Sequence, residues 1–199
     1  GHGNTQSLVE SVPQRVQALA DENVAQIACG GYHAVARTHQ GALWSWGYNG
    51  NGRTGHGLTE GDVLIPKLVT ELKNTIVTQV SAGLFHTALA TNQGQLYTCG
   101  FGGDGRLGHN HEQNCLIPTL VESMQDFVVQ QVSCGAHHTA LLTDKGTLYT
   151  FGKNENGLLG HDDEENRLVP TLVEALETIN ITQVSCGNEH SVALSDQGQ

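Results

Sequence analysis

The stretch VSCGAHHTALLTDKGTLYTFG, residues 132–152, decides the fold of this chain because the chain repeats it. Its opening phrase occurs four times, as IACGGYHAV (27–35), VSAGLFHTA (80–88), VSCGAHHTA (132–140) and VSCGNEHSV (184–192). The copies begin 53, 52 and 52 residues apart. Self-similarity at a fixed period of this size is typical of arrays in which each repeat is one supersecondary unit.

Other short phrases recur in the same order within each copy. They are LWSWG, LYTCG and LYTFG, then GRTGH, GRLGH and GLLGH, and then Pro66, Pro118 and Pro170, with Pro13 as the first proline. Only the step from the Gly-His histidine to the proline varies in length, as 11, 10, 9 and 9 residues. Because insertions are tolerated in surface loops and not in hydrogen-bonded strands, this step is predicted to be a loop.

Each copy contains four short segments with the composition of β-strands, which in the third copy lie around PTLVE, VVQQVSC, HTALLT and TLYTF. LVESVPQRVQAL (8–19) could form an amphipathic helix, but a proline recurs at the matching place and argues against one. Four strands in about 52 residues are typical of one propeller blade. The sequence therefore predicts an all-β propeller of about four antiparallel blades, partial, open or part of a larger ring.

Proline is taken as the first residue of each blade, which sets the predicted boundaries. Residues 1–12 are the tail loop of a preceding repeat, and the blades are 13–65, 66–117, 118–169 and 170–199. The fourth blade lacks its last strand, so we expect further chain at both ends.

The composition of the chain limits the kinds of partner and environment that we expect for it. Lys and Arg number 9 against 20 Asp and Glu, for a net charge of −11, which disfavours direct nucleic-acid binding and favours a basic or neutral protein partner. The five cysteines form no metal-binding motif, so an intracellular, reducing environment fits best. No run of 18 apolar residues is present, and no membrane insertion is expected.

The phrases V-S-C-G-x-x-H-T-A-L, L-Y-x-F/W-G and N-x-x-G-x-L-G-H resemble the repeats of the regulator of chromosome condensation family, over the whole chain in about 3.8 copies. The resemblance implies a seven-bladed β-propeller of which this chain is about half. The family includes exchange factors for a Ran-type GTPase, chromatin binders, an ultraviolet-B sensor, ubiquitin-ligase modules and a lactamase inhibitor. Fold alone does not choose among these functions.

Individual residues of this chain exclude two of the family's functions. Light sensing in the family implies tryptophan in a G-W-R-H-T phrase, whereas this chain has GYH, LFH, AHH and NEH there, and its Trp44 and Trp46 occupy strand positions. We therefore exclude light sensing. Chromatin binding implies basic tails and loops, which the acidic chain lacks, so it is excluded too.

The resemblance to the exchange factor points to the two variable residues between the CG-type glycine and the histidine as the face that meets a GTPase. The predicted partner-binding residues are Tyr32, Leu84, Phe85, His137, Asn188 and Glu189. The predicted partner is a small GTPase of the Ras superfamily. The predicted function is to bind and regulate this GTPase in the manner of a guanine-nucleotide exchange factor, and whether exchange is catalysed stays open, because the exchange factor's inserted β-wedge has no counterpart in this chain. The alternatives are a scaffold, inhibitor or adaptor propeller, or a bacterial effector that mimics a host GTPase regulator.

Eight histidines are periodic, one from each of two phrases in every copy, and a repeated structural hydrogen bond explains them better than a metal site. They are His33, His86, His138 and His190, and His2, His56, His109 and His161. His39, His111 and His137 are free to be functional. No cofactor, metal site or catalytic constellation is predicted, and an enzyme in the central channel is the weakest hypothesis. We expect a cytoplasmic location, with the nucleus or a host cytoplasm as alternatives.

Overall fold

Fourteen strands in four antiparallel sheets make up the fold in the computed structural model, which describes residues 1–3 and 11–199. The first sheet holds β1 (Val24–Cys29), β2 (His33–Thr38), β3 (Leu43–Gly47) and β4 (Val63–Leu68), and the second β5 (Val77–Ala82), β6 (His86–Thr91), β7 (Leu96–Gly100) and β8 (Cys115–Leu120). The third holds β9 (Val129–Cys134), β10 (His138–Thr143), β11 (Leu148–Gly152) and β12 (Arg167–Leu172), and the fourth β13 (Ile181–Cys186) and β14 (Ser191–Ser195). The all-β propeller prediction is confirmed, with three complete blades and half of a fourth.

Short 3₁₀ helices are the only helical elements among the described residues. They are Gln17–Leu19, Gly50–Gly52, Thr70–Leu72, Gly103–Gly105, Glu122–Met124, Glu155–Gly157 and Glu174–Leu176. Part of the alternative helix at 8–19 lies outside the described residues, and 11–16 are not helical. The segments of variable length, 57–62, 110–114 and 162–166, are loops, as predicted.

The predicted blade boundaries are wrong. The proline-containing strand does not open a blade; it closes the preceding one, because β4, β8 and β12 pair with β3, β7 and β11. The sheets run from 24 to 68, 77 to 120 and 129 to 172, so the boundaries at 65/66, 117/118 and 169/170 cut through outer strands. The fourth sheet consequently lacks two strands rather than one.

The outer position of the proline-containing strand has a physical reason. Proline has no N–H to donate, so it is tolerated on an edge strand, where one side of the backbone needs no partner. The pairing of β7 with β8 skips from Thr98↔Thr119 to Gly100↔Cys115, which leaves Pro118 at an irregular position of the ladder. The proline spacing is the same whichever sheet the strand joins, and so it could not reveal the choice.

The hydrophobic core lies between neighbouring sheets. One buried cluster joins the first and second blades through residues such as Val35 and Leu89, and another joins the second and third through Leu96 and Phe151. Every residue of β6 and β10 is buried. Stacking of apolar sheet faces thus holds the blades together by removing apolar surface from water.

A histidine of each of the first three blades also forms a hydrogen bond to the next blade, in the interior of the junction. The Nε2 atoms join His33 to Thr87 at 2.7 Å, His86 to Thr139 at 2.8 Å and His138 to Ser191 at 2.8 Å. The hydroxyl of Thr87 in turn donates to the backbone carbonyl of Arg53 at 2.8 Å. In the same way Thr139 donates to the carbonyl of Arg106 at 2.8 Å, and Ser191 to that of Leu158 at 3.1 Å. Because the one hydroxyl proton goes to the carbonyl, the histidine Nε2 must be the donor to the hydroxyl.

The structural role predicted for the histidines of this phrase is confirmed for His33, His86 and His138, whose bonds join two blades. His190, in the fourth sheet, is exposed. The Gly-His histidines act within one blade: His56, His109 and His161 bond to Ser45, Thr98 and Thr150 of the third strands at 2.9, 2.9 and 3.0 Å. They attach the glycine-rich loop to its own sheet.

Burial keeps the three inter-blade histidines neutral. Desolvation, with a smaller contribution from the Arg53 charge, lowers the pKa of His33 to about 3, and desolvation with the His137 charge lowers that of His138 to about 4. The pKa of His86 lies well below its usual value, for the same first reason. Their Nδ1 atoms are buried without a partner, which fits rings that carry their proton on Nε2.

We predict that Thr87→Val lowers the free energy of unfolding by about 2–3 kcal/mol, because it leaves the His33 donor and the Arg53 carbonyl unpaired in the core. Urea denaturation of the full-length protein measures the change. Thr119→Val is the matched control, since the Thr119 hydroxyl bonds at the exposed outer strand, and it should cost less than about 0.5 kcal/mol. Equal costs for the two variants would contradict a special role for the relay.

We also predict that stability falls as the pH decreases from about 6.5 to 5, where histidine binds protons in the unfolded chain. The folded His33, His86 and His138 have lowered pKa values and do not bind protons there, so the unfolded state takes up more protons and is favoured. Each histidine contributes a slope of up to about 1.4 kcal/mol per pH unit. Urea midpoints at several pH values should show a shallower slope for His138→Gln than for wild type. A His138→Gln slope equal to that of wild type would refute this origin.

Candidate functional site

The six predicted partner-binding residues lie in the turns that join the first two strands of each blade. Backbone hydrogen bonds connect these turns across the blade junctions. They run from Gly31 N to Gly83 O at 3.2 Å, from Leu84 N to Gly135 O at 3.3 Å and from Ala136 N to Asn188 O at 3.1 Å. Turns that are about 52 residues apart in sequence are therefore neighbours on one face of the propeller, which we call the turn face.

The predicted residues are not equally exposed on the turn face. The Tyr32 side chain is 62% exposed, and Asn188 and Glu189 are exposed as well. Leu84, Phe85 and His137 are half-buried, and the rings of Phe85 and His137 are 5.6 Å apart. The turn face thus presents an aromatic end at the first blade and a polar end at the fourth.

Sequence reasoning missed the residues that organise the turn face. The Arg53 guanidinium lies between the rings of Tyr48 and Phe85, at 4.9 and 5.4 Å from their centroids. The Arg106 guanidinium lies near Phe101 and Phe85, at 4.8 and 5.5 Å. The result is a continuous series of alternating rings and cations, an arrangement that is favourable because the face of an aromatic ring is electron-rich.

The two arginines also fix the turn of the next blade. Arg53 is 2% exposed and donates from Nε to Gly50 O at 2.9 Å and from Nη1 to Leu84 O at 2.8 Å. Arg106 donates likewise to Gly103 O at 2.8 Å and to Ala136 O at 3.0 Å. Each guanidinium therefore positions one of the variable turns that the sequence had singled out.

These arginines lie in the phrases GRTGH and GRLGH, which the sequence analysis used for the repeat and for their histidines but not for their arginines. The available signal was the matching phrase GLLGH, in which Leu158 replaces arginine while the glycines and the histidine are unchanged. An aromatic residue also follows the LWSWG-type glycine in the two copies that have the arginine, as Tyr48 and Phe101, and Lys153 stands there in the third. The aromatic and the arginine thus change together.

The polar end of the turn face has a different chemistry. Asp104 contacts the Arg106 guanidinium at 2.5 Å, and its carboxylate is 3.8 Å from His137 Nδ1. Desolvation, followed by the Arg106 and Lys153 charges, holds the pKa of His137 below its usual value, so the ring is neutral at pH 7. A cavity of about 160 Å³ opens between the third and fourth blades, lined by His137, Lys153, Glu155 and Glu189 among others, and Lys153 forms an ion pair with Glu155 there.

No group of three or more His, Cys, Asp or Glu side chains in the described part of the chain could hold a metal ion. No described helix has the length and apolar character needed to cross a membrane.

Fold and site together define the class: a β-propeller of four-stranded blades whose turn face carries variable side chains on a repeated frame. A family model described as the RCC1-like domain matches residues 1–199. The chain belongs to this family, as the resemblance indicated.

The proteins similar to this chain include a light receptor and a ubiquitin-protein ligase. The chain is 39% identical to the ultraviolet-B receptor UVR8 of Arabidopsis thaliana over 199 residues, which are 100% of this chain and 44% of the receptor. It is 37% identical over 205 residues to the human E3 ubiquitin-protein ligase HERC2, covering 100% of this chain and 4% of the ligase. The chain therefore spans less than half the length of each of these relatives.

A solved structure has the same fold. Prp20p of Saccharomyces cerevisiae, described with its binding properties to Gsp1p and histones, matches with a TM-score of 0.78 and 28% identity, over 88% of this chain and 45% of Prp20p. Human WBSCR16 matches with a TM-score of 0.76 and 27% identity, over 89% of this chain and 46% of that one.

We predict that Phe85→Leu lowers the free energy of unfolding by about 1–2 kcal/mol, because leucine keeps most of the apolar volume but removes a ring that two guanidinium groups face. Chemical denaturation of the full-length protein checks this. Phe127→Leu is the control, since Phe127 contacts the Tyr149 ring and no arginine pairs with it in the described chain. If both variants lose the same stability, the ring–cation contacts are not what stabilises the turn face.

Proposed function

We propose that this chain is part of a non-enzymatic protein-interaction propeller that binds a small GTPase of the Ras superfamily through the turn face. One observation carries the proposal: large aromatic side chains are exposed on a frame that buried arginines hold rigid. Tyr32 and Tyr48 are 62% and 51% exposed, and their rings pack edge to face at 6.2 Å. Rigid aromatic residues of this kind dominate the binding energy of protein interfaces.

The choice of a GTPase rests on similarity. Prp20p shares the fold at a TM-score of 0.78 and is described as binding the GTPase Gsp1p. The variable turns of this chain match the face that the resemblance assigns to GTPase contact. The net charge of −11 makes the negatively charged backbone of a nucleic acid a poor partner. A GTPase partner would place the protein inside a cell, in the cytoplasm or nucleus.

Catalysed nucleotide exchange is not included in the proposal. The connections between the Gly-His phrase and the outer strand differ by at most two residues between copies, so no repeat contains an inserted wedge. A second candidate, an adaptor or scaffold module without nucleotide chemistry, is supported by the similarity to HERC2, in which the matching propeller segment is only 4% of a ligase.

The experiment measures binding of the full-length protein to a panel of Ras-superfamily GTPases, each in GDP-bound, GTP-analogue-bound and nucleotide-free form, by biolayer interferometry. We expect Tyr32→Ala with Tyr48→Ala to weaken binding at least about tenfold, because both rings are exposed on the turn face. Ile65→Ala is the matched control: its side chain is 53% exposed but belongs to the outer strand β4, and its loss should leave affinity unchanged.

Binding itself separates the two candidates, because an adaptor without nucleotide chemistry binds none of the GTPases, and that outcome would refute the GTPase proposal. Release of a fluorescent nucleotide then classifies a binder: faster release would make the protein an exchange factor and contradict the proposal as stated, whereas unchanged release supports a binder that is not an exchange factor. Unchanged binding by the double tyrosine variant would refute the choice of face.

A further inference from the structure

Arg53 and Arg106 occupy equivalent positions, but only Arg106 has a carboxylate partner. The Arg106 Nη2 atom contacts Asp104 Oδ2 at 2.5 Å. At the first blade junction the residue that corresponds to Asp104 is Asn51. Both residues have the left-handed backbone conformation, with φ of 63° for Asn51 and 59° for Asp104, so the two loops are built alike and differ in one charge.

Arg53 is a buried cation without a counter-charge. Its side chain is 2% exposed, and no described acidic residue forms an ion pair with it. Nε and Nη1 donate to backbone carbonyls, while Nη2 has no acceptor in the described chain. Nη2 is not among the fully enclosed unpaired polar atoms, so part of its surface remains accessible to solvent.

The surroundings of Arg53 suit an anion that arrives from outside. The rings of Tyr48 and Phe85 flank the guanidinium and compensate part of its charge, yet an arginine removed from water is stabilised most by a hydrogen-bonded carboxylate. Tyr32 packs against Tyr48 beside it and exposes most of its own side chain. A group that reaches the guanidinium would therefore lie close to the partly exposed ring of Tyr48.

We propose that Arg53 binds an aspartate or glutamate side chain of the protein partner, which takes at the first junction the place that Asp104 has at the second. This inference rests on the proposed function and identifies one residue type on the partner's surface. A carboxylate on a docked polypeptide reaches Arg53 at a high effective concentration, since the contacts of the exposed tyrosines already hold the partner in place.

The repeat offers a matched set of variants at three equivalent loop positions, Asn51, Asp104 and Asn156, all with positive φ. Asn51→Asp supplies the missing carboxylate from within the chain, and Asp104 shows that aspartate fits this backbone. We expect the melting temperature of the full-length protein to rise by about 2–4 °C, since a buried arginine gains its counter-charge. Binding of the GTPase partner should weaken roughly tenfold, because the site for its acidic residue is filled.

Asn156→Asp is the control. It adds the same charge to the equivalent loop of the third blade, where Leu158 stands in place of arginine. We expect no rise in melting temperature and a change in partner affinity of less than about twofold. Equal effects of Asn51→Asp and Asn156→Asp would show that only the overall charge matters, and would overturn the proposal.

A small probe tests the site without the partner. The probe is N-acetylglutamic acid α-amide, whose only charge is the side-chain carboxylate, and the readout is the Nε–Hε NMR signal of Arg53 in the full-length protein labelled with ¹⁵N-arginine. We expect a saturable shift with this probe, none with N-acetylglutamine amide, and none in Asn51→Asp. Asp104→Asn should make the Arg106 signal respond in the same way, because it removes that arginine's own carboxylate.

The outcomes separate this proposal from the one on which it rests. Partner binding that depends on Tyr32 and Tyr48 but is unchanged in Asn51→Asp would leave the proposed function standing and refute the carboxylate site. A response of Arg53 to the glutamate probe without binding of any GTPase would support the carboxylate site and refute the GTPase. An Arg53 signal that responds equally to the glutamate and glutamine probes would refute the carboxylate site directly.

Discussion

The hydrogen bond that crosses each blade junction is the constraint on which the rest of the structure depends. At the first junction the His33 ring donates to Thr87, and Thr87 donates to the backbone carbonyl of Arg53. Such a relay is stable only when every member is paired, because an unpaired polar group in the low-dielectric interior is costly. The relay ends on the residue whose side chain builds the turn face. The bond that aligns two blades therefore also positions the Arg53 guanidinium, which in turn holds the carbonyl of Leu84.

Repetition of one frame with different side chains gives the turn face its chemical variety. The first junction has an arginine between two rings, and the second has an arginine with an aspartate. The third has Leu158, and an open polar cavity lies beside it. Because the backbone of the three loops is nearly the same, each difference in binding chemistry follows from one or two substitutions. A surface of this kind can change its partner without any change in its fold, which fits the different proteins that carry RCC1-like domains.

The strands, the loop of variable length and the positions of the turn residues could be predicted from the sequence, because they depend on the phase of the repeat. The blade boundaries could not. The distance from Pro66 to the next copy is the same whether its strand opens one sheet or closes another, and only the pairing of β3 with β4 decides this. The arginines were missed for a related reason. Arg53 owes its structural role to contacts with Leu84 and Phe85, which lie about 30 residues further along the chain and in the next blade.

The sequence by itself determined the period, the four strands of each unit, the structural histidines and the turns where side chains vary. These are local properties, set by alternation, turn residues and spacing. Only the tertiary structure decided which strand belongs to which blade, that the histidine bond joins blades, and that Arg53 lacks the carboxylate that Arg106 has. Those properties depend on contacts between units, and a repeat read in one dimension describes each unit but not how neighbouring units meet.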